Sequence, residues 1–367
     1  MNIVIACGGT GGHIYPGITL AQTLEAQSPT DILFIGSSLR MEKDLIPAAG
    51  FAFAGLPIAP LQRQKPLKSL RNLWRCTQQA QQLLQQHQTT AVVGLGSYIT
   101  VPTLLAAARL KIPVFLVETN IVPGKANQWL ARLAQWVALA HAESAASFGK
   151  TPTHVTGSPV RPEFGSYSRA EGAQLFDLDP AAPVVSIIGG SQGAQRINQA
   201  VTTDLEALLA IPKLQIVHVC GASNYDQIRQ TSPLSAGQPR YRLLKYVDNM
   251  PALLACTDLA VSRAGASMIA ELMVCHVPAI LIPGSFGGGH QYDNALAVKR
   301  AGAGLLLEEK ALTPGSLSAQ IQDVIGNRER LNTMRHHCGQ LNPSNAAEQI
   351  VSLIRKTLHS TQEALPC

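Results

Sequence analysis

Between residues 259 and 294 the chain reads Leu259-Ala260-Val261-Ser262, then Arg263-Ala264-Gly265-Ala266-Ser267, then Met268-Ile269-Ala270-Glu271-Leu272-Met273. After Val277-Pro278 a second apolar run, Ala279-Ile280-Leu281-Ile282-Pro283, opens onto Gly284-Ser285-Phe286-Gly287-Gly288-Gly289, followed by His290, Gln291 and Asn294. The pattern is strand, tight turn, helix, strand, glycine loop and helix. A small-residue turn that opens a helix leaves backbone N–H groups and the positive end of the helix dipole at one spot, where an anion is favoured. The proline-bounded run has the length and apolarity of a strand. Glu271 on a helix, with the amides of Gln291 and Asn294 behind a glycine loop, suits a ligand rich in hydroxyls. Each of these residues alone reads as an ordinary solvated helix position, and their weight comes from occurring together.

Outward from this stretch the alternation continues. Short apolar runs at Ile3–Ala6, Ile32–Ile35, Ala91–Val93, Val114–Val117, Trp136–Ala140 and His154–Thr156 alternate with helical patterns. Pro159-Val160-Arg161-Pro162 interrupts them, and a second series follows at Val184–Ile188, Gln215–Val219, Tyr241–Leu244, Leu259–Ser262, Ala279–Ile282 and Gly304–Leu307. Strand–helix alternation predicts parallel sheets. Each series opens on a glycine loop after its first strand. The first is Gly8-Gly9-Thr10-Gly11-Gly12-His13, with a helix past Pro16 through Leu24; the second is Gly189-Gly190-Ser191-Gln192-Gly193-Ala194. At 367 residues the chain exceeds what one core holds. The expectation is an α/β protein of two similar halves, residues 1–160 and 161–343, with a C-terminal helix at about 344–358 crossing back to the first.

A hydrophobic content of 46% with 14% charged residues describes a well-packed globular chain, and the net charge of +6 favours an anionic partner. Only 5% of residues are aromatic, and no basic stripe is interleaved with Phe or Tyr, which argues against nucleic acid. The seven cysteines are odd in number and scattered, with no Cys-x-x-Cys, as in a reducing cytoplasm. His336-His337-Cys338 is no metal site, because adjacent helix residues point in different directions. The chain enters its first strand at Asn2 without a basic leader, and no run approaches 18 apolar residues, so neither export nor a membrane span is expected.

A strand, glycine turn and helix suit a diphosphate. A dinucleotide fingerprint is incomplete here, since Ile14 stands where its third glycine belongs and Ile35-Gly36-Ser37-Ser38 carries no acid for a ribose 2′-OH. The Gly-Lys-Ser/Thr of a P-loop is missing. His13, at a helix start, reads equally as a structural residue or as a base for a sugar hydroxyl.

Gly8-Gly9-Thr10-Gly11-Gly12-His13-Ile14-Tyr15-Pro16-Gly17, Gly94-Leu95-Gly96-Ser97-Tyr98-Ile99-Thr100-Val101-Pro102, Gly189–Ala194 and Ser262–Glu271 together closely resemble the MurG family, a likeness that covers almost the whole chain. These are UDP-N-acetylglucosamine-dependent transferases that convert lipid I to lipid II in peptidoglycan synthesis, on which cell shape and division depend. The resemblance implies the GT-B architecture, two Rossmann-like domains facing a cleft, with donor at the C-terminal domain and acceptor lipid at the N-terminal one. It implies that Glu271 binds the ribose hydroxyls, that Gln291 and His290 contact the sugar, and that Asn294 supports their helix. It places Arg161 and Ser191 at the diphosphate, Arg263 near the nucleotide, and Thr10, Gly11, Gly12, His13, Tyr98, Glu118 and Asn120 on the acceptor side, the catalytic set being His13, Glu118 and Asn120. No cofactor is implied. With no Asp-x-Asp motif, helix N-termini and Arg161 are expected to take the developing diphosphate charge without a metal. Two positions depart from the family pattern: Thr119, where the family has Gln between Glu and Asn, and Ser158, where it has Asn before Pro-Val-Arg.

Two rivals stay open, another GT-B lipid transferase such as a diacylglycerol glycosyltransferase, and a non-catalytic sugar-nucleotide sensor. The expected place is the cytoplasmic face of the inner membrane, as a peripheral protein, with the anionic leaflet and other cell-wall synthesis proteins as partners. Lys65-Pro66-Leu67-Lys68-Ser69-Leu70-Arg71-Asn72-Leu73-Trp74-Arg75 sets Leu67, Leu70, Leu73 and Trp74 at helical spacing among Lys65, Lys68, Arg71 and Arg75. Such a helix either lies in the headgroup region or packs on the sheet with solvated charges.

Overall fold

The computed structural model describes residues 1–60, 66–190, 193–231, 238–284 and 289–363, the side chains of 361–363 excepted. Ser191, Lys65 and the Ser285–Gly288 part of the later glycine loop lie outside the described residues. The chain divides into two compact units, Met1–Arg161 with Pro343–Cys367, and Pro162–Asn342. Arg161 therefore closes the first unit, where the sequence reading had it open the second domain.

In the first unit the strands are β1 (Asn2–Ala6), β2 (Asp31–Ser37), β3 (Ala52–Leu56), β4 (Ala91–Gly94), β5 (Val114–Glu118), β6 (Trp136–Leu139) and β7 (Thr153–Val155). They form one parallel sheet in the order β3-β2-β1-β4-β5-β6-β7. The helices are α1 (Gly11–Gln27), α2 (Glu42–Ala48), α3 (Pro66–Gln86), α4 (Val101–Arg109) and α5 (Lys125–Leu130). The continuous apolar runs of β1, β4 and β5 are buried on both faces, as strands of a parallel sheet must be when helices cover both sides. β3 has no counterpart among the predicted strands. It is an edge strand in which Ala52 and Gly55 are exposed and only Leu56 is fully buried, so its sequence lacks the apolar continuity that marked the others. α1 begins at Gly11, ahead of Pro16, so His13 stands in its first turn.

The second unit repeats the plan. Its strands are β8 (Val184–Ile188), β9 (Gln215–Val219), β10 (Tyr241–Leu244), β11 (Leu259–Ser262), β12 (Ala279–Leu281) and β13 (Gly304–Leu306), parallel in the order β10-β9-β8-β11-β12-β13. The helices are α6 (Arg169–Leu175), α7 (Gln195–Ala210), α8 (Ala222–Thr231), α9 (Met250–Cys256), α10 (Ala266–Val274), α11 (His290–Arg300), α12 (Ser316–Ile325) and α13 (Arg328–Leu341). Both sheets follow the doubly wound order 3-2-1-4-5-6, in which strand order reverses beside the first strand and leaves a crevice at the carboxyl ends.

The last helix, α14 (Ala346–Glu363), belongs to the first unit. Ala347, Ile350, Val351 and Ile354 join the core of β1 and α1, Thr357 Oγ1 accepts the Trp136 indole N–H at 3.0 Å, and Arg355 donates to Ser28 Oγ at 2.7 Å. It runs past the predicted end at Leu358. Among the described residues no helix is long and apolar enough to cross a membrane.

Candidate functional site

In the first unit the loops after β1, β4 and β5 meet at the carboxyl edge of the sheet, on either side of the switch between β1 and β4. Thr10 stands at the N-cap of α1 in extended conformation, and its Oγ1 lies 3.2 Å from His13 Nδ1. A Cβ placed on Gly96 would lie 3.4 Å from His13 Nε2 and 3.2 Å from Asn127 Nδ2, so the β4 loop packs its backbone against both side chains. Gly11 and Gly12 form the start of α1 beneath them. Tyr98 opens a 3-10 turn, with its ring against the core and its buried hydroxyl without a hydrogen-bond partner among the described residues.

Glu118 ends β5 almost fully buried, and both of its oxygens are engaged. Oε1 accepts from the Asn120 backbone N–H at 2.9 Å and the Asn120 side-chain amide at 3.1 Å; Oε2 accepts from Gly124 N–H at 3.0 Å and Asn127 Nδ2 at 3.0 Å. Hydrogen bonds to a charged acceptor are the strong ones, so this carboxylate fixes the loop that carries Thr119 and Asn120. Nearby His141 is held below its ordinary pKa by burial, against the opposing charges of Glu143 and Glu118. Arg161 sets its guanidinium 5.4 Å from the Tyr15 ring centroid, a cation–π contact on the second turn of α1.

In the second unit the loops after β8, β11 and β12 occupy the corresponding edge. Gly193, at φ +73°, closes the β8 loop so tightly on the Cys220 carbonyl that a Cβ would stand 2.3 Å from its oxygen. Asn198 and Asn224 donate to that same carbonyl at 2.9 and 3.2 Å. Arg263 reaches sideways: it donates to the Ile282 carbonyl at 3.1 Å and pairs with Glu309 Oε1 at 2.5 Å, tying the ends of β11 and β12 to the segment after β13. Glu271 is partly buried on α10, and its charge, after burial itself, helps push the Cys275 thiol up to about 12.

Gln291 Oε1 accepts the Gly284 N–H at 2.9 Å, closing the β12 loop onto the first turn of α11. Buried Asn294 donates to the Ala264 carbonyl at 3.2 Å and locks α11 to the turn before α10. His290, the first residue of α11, keeps a buried Nδ1 without a hydrogen-bond partner among the described residues. Of the predicted residues, Thr10, Gly11, Gly12, His13, Tyr98, Glu118, Asn120 and Arg161 lie in the first unit, and Arg263, Glu271, His290, Gln291 and Asn294 in the second.

Two residues of the first edge escaped the sequence reading. Asn127 looks like any polar helix residue, yet it is buried and bridges Glu118 Oε2 and the Val117 carbonyl. Glu42, within Met41-Glu42-Lys43-Asp44, reads as part of a charged surface helix, yet it is completely buried against the first glycine loop. No local pattern distinguishes either one.

Two family models match the chain, one in each half. The model of the glycosyltransferase family 28 N-terminal domain matches residues 3–139, and that of the family 28 C-terminal domain matches residues 184–350. A relative from Desulfitobacterium hafniense, 36% identical over 97% of this chain and 99% of its own length, is named UDP-N-acetylglucosamine--N-acetylmuramyl-(pentapeptide) pyrophosphoryl-undecaprenol N-acetylglucosamine transferase. One of the same name from Halalkalibacterium halodurans is 34% identical over 97% of this chain and 99% of its own. Among solved structures, the MurG of Acinetobacter baumannii superposes with a TM-score of 0.77 at 25% identity, covering 97% of this chain and 99% of that one.

Proposed function

We propose a role for each group from the premise that this chain belongs to glycosyltransferase family 28, in the branch of N-acetylglucosaminyltransferases with the GT-B fold. The protein moves N-acetylglucosamine from UDP-N-acetylglucosamine to the 4-hydroxyl of N-acetylmuramyl-(pentapeptide)-pyrophosphoryl-undecaprenol. The single observation that carries the assignment is full-length kinship with relatives named for that activity.

The donor belongs to the second unit. Glu271 accepts from the ribose hydroxyls. Gln291, with Oε1 held by Gly284, keeps its amide NH₂ for the sugar, beside His290. Asn294 and Arg263 serve by holding the frame, since the amide of one and the guanidinium of the other are spent on carbonyls and on Glu309.

The acceptor belongs to the first unit. With Nδ1–H donating to Thr10 Oγ1, His13 Nε2 carries the basic lone pair, which takes the proton of the acceptor hydroxyl as that oxygen attacks C1 of the donor sugar. The C1–O bond to the diphosphate breaks, UDP leaves, and the α-linked donor gives a β-linked product. Glu118 acts through Asn120, which it orients, because both carboxylate oxygens are engaged by loop donors. Tyr98 brings a hydroxyl to the same edge.

The lipid acceptor is met at a membrane surface. Leu67, Leu70 and Trp74 of α3 are 82%, 58% and 55% exposed, whereas Leu73 packs partly into the core. Lys68, Arg71 and Arg75 share this first half of α3. Exposed apolar side chains ringed by cations fit the headgroup region of an anionic leaflet.

The test supplies the purified chain with radiolabelled UDP-N-acetylglucosamine and either a short-chain lipid I analogue or diacylglycerol. Labelled disaccharide product and released UDP with the first acceptor alone are the expected result. Transfer to diacylglycerol instead, or donor binding without any transfer, would overturn it.

A further inference from the structure

Beneath the first glycine loop lies a carboxyl group that none of these roles uses. Glu42 opens α2 with 0% of its surface exposed, and its side chain turns under the loop. There Oε2 accepts the Gly9 N–H at 3.1 Å and Oε1 accepts the Ser37 N–H at 3.0 Å. The room it fills exists because two backbone positions lack a Cβ: one on Gly8 would stand 2.3 Å from Oε1, and one on Gly36 would stand 2.9 Å from Cγ. A carboxyl group survives such burial only where donors meet it. Here both donors are backbone amides, and one of them belongs to the loop that ends at His13. Burial, and after it the Glu42 charge, also raise the neighbouring Cys7 thiol above its ordinary value.

We propose that Glu42 is a positioning residue for the acceptor side of the reaction. By holding the Gly9 amide from below, it sets the left-handed Gly9 turn, φ +91°, that delivers Thr10 to the N-cap of α1 and His13 to its first turn. The same bond withdraws the Gly9 amide from any phosphate, so this loop contributes the place of His13 and Gly9 adds nothing to an anion pocket. The proposal rests on the role given to His13 above.

Glu42→Gln keeps the volume but turns an NH₂ toward one of the two backbone N–H donors, and Glu42→Asp keeps the charge but draws it back by one methylene. In full-length protein, amide hydrogen exchange at Gly9 is measured together with kcat, both KM values and calorimetric UDP binding. In the Gln variant we expect Gly9 exchange at least tenfold faster and kcat lower by roughly 10- to 100-fold, with donor KM and UDP affinity within about twofold of wild type. The Asp variant should follow in the same direction and carries the test if the Gln variant does not fold. Unchanged Gly9 exchange, unchanged kcat despite faster exchange, or an equal loss of UDP affinity would each overturn the proposal. Wild-type protein that transfers no sugar would instead refute the assigned reaction, leaving the exchange measurement to decide whether Glu42 holds the loop.

Discussion

Glu271 and His13 stand in different units, and their replacement should separate the two substrates. Loss of the Glu271 carboxylate removes a charged acceptor of about 1.5–3 kcal/mol per hydrogen bond to the ribose, so Glu271→Ala should raise donor KM tenfold or more. A donor KM that does not move would take Glu271 out of the site. His13→Ala should lower kcat by roughly 10²–10⁴ while donor KM and thermal stability hardly change. A variant that unfolds, with its folded fraction turning over normally, would mean that His13 is structural. A buried histidine sets a pH dependence of stability. His218 is fully buried between the Tyr241 hydroxyl at 2.7 Å and Asn198 Oδ1 at 3.0 Å, and burial pushes its pKa down to about 3. The unfolded chain takes up a proton near pH 6.5 that the folded state refuses. The stability this group contributes is therefore whole above pH 6.5 and lost progressively as pH falls towards 3, about 2 kcal/mol by pH 5. Urea unfolding at pH 7 and pH 5 should show a smaller loss in His218→Gln than in wild type; equal losses would assign the acid sensitivity elsewhere.

At the scale of elements, α3 divides its labour along its length. Cys76, Thr77, Ala80 and Leu84 are buried along the later turns, whereas Leu67, Leu70 and Trp74 of the first turns are exposed among the described residues. Cations near an anionic leaflet contribute about 1 kcal/mol each at low salt, enough for reversible attachment when apolar side chains are inserted beside them. The protein should pellet with anionic liposomes and be released by salt. Replacing Leu70 and Trp74 with Ser, and Lys68 and Arg71 with Glu, should abolish pelleting while a short-chain acceptor is still glycosylated. Continued pelleting would place the membrane face on another element. Leu73 is left intact in this design because it packs partly into the core.

For the whole molecule, the chain leaves its first unit at Arg161 and returns at Pro343, so the N-terminal unit is incomplete until the last helix has been made. Burying Ile350, Val351 and Ile354 contributes about 1.5–3 kcal/mol each, a sum comparable with the entire stability of an ordinary domain. A chain ended at Asn342 should therefore lose its N-terminal unit first. Limited proteolysis of that truncated chain is expected to cut within residues 1–161 and to spare 162–342. An N-terminal region that stays resistant would show that α14 is dispensable.

The sequence by itself determined what depends on local order along the chain. Strand–helix alternation, the paired glycine loops and the runs Ala91–Val93 and Leu259–Ser262 carried the parallel α/β class and the two similar halves, because period and apolar continuity are written residue by residue. His13 and Gln291 stand in the first turns of α1 and α11, beside the carboxyl ends of strands, where ligands of such sheets are met, and that place follows from chain order alone. What tertiary structure alone decided are pairings across long separations. Glu42 reads as a surface charge until Gly8 and Gly36 open a space for it beneath β1. Arg263 finds Glu309 and the Ile282 carbonyl, partners that its own stretch of sequence does not name. Glu118 reads from the chain as one acid at a strand end, and only the fold brings Asn120, Gly124 and Asn127 to its two oxygens. The direction of a buried charge is set by the donors that the fold brings to it, and those donors come from elements whose adjacency no local pattern records.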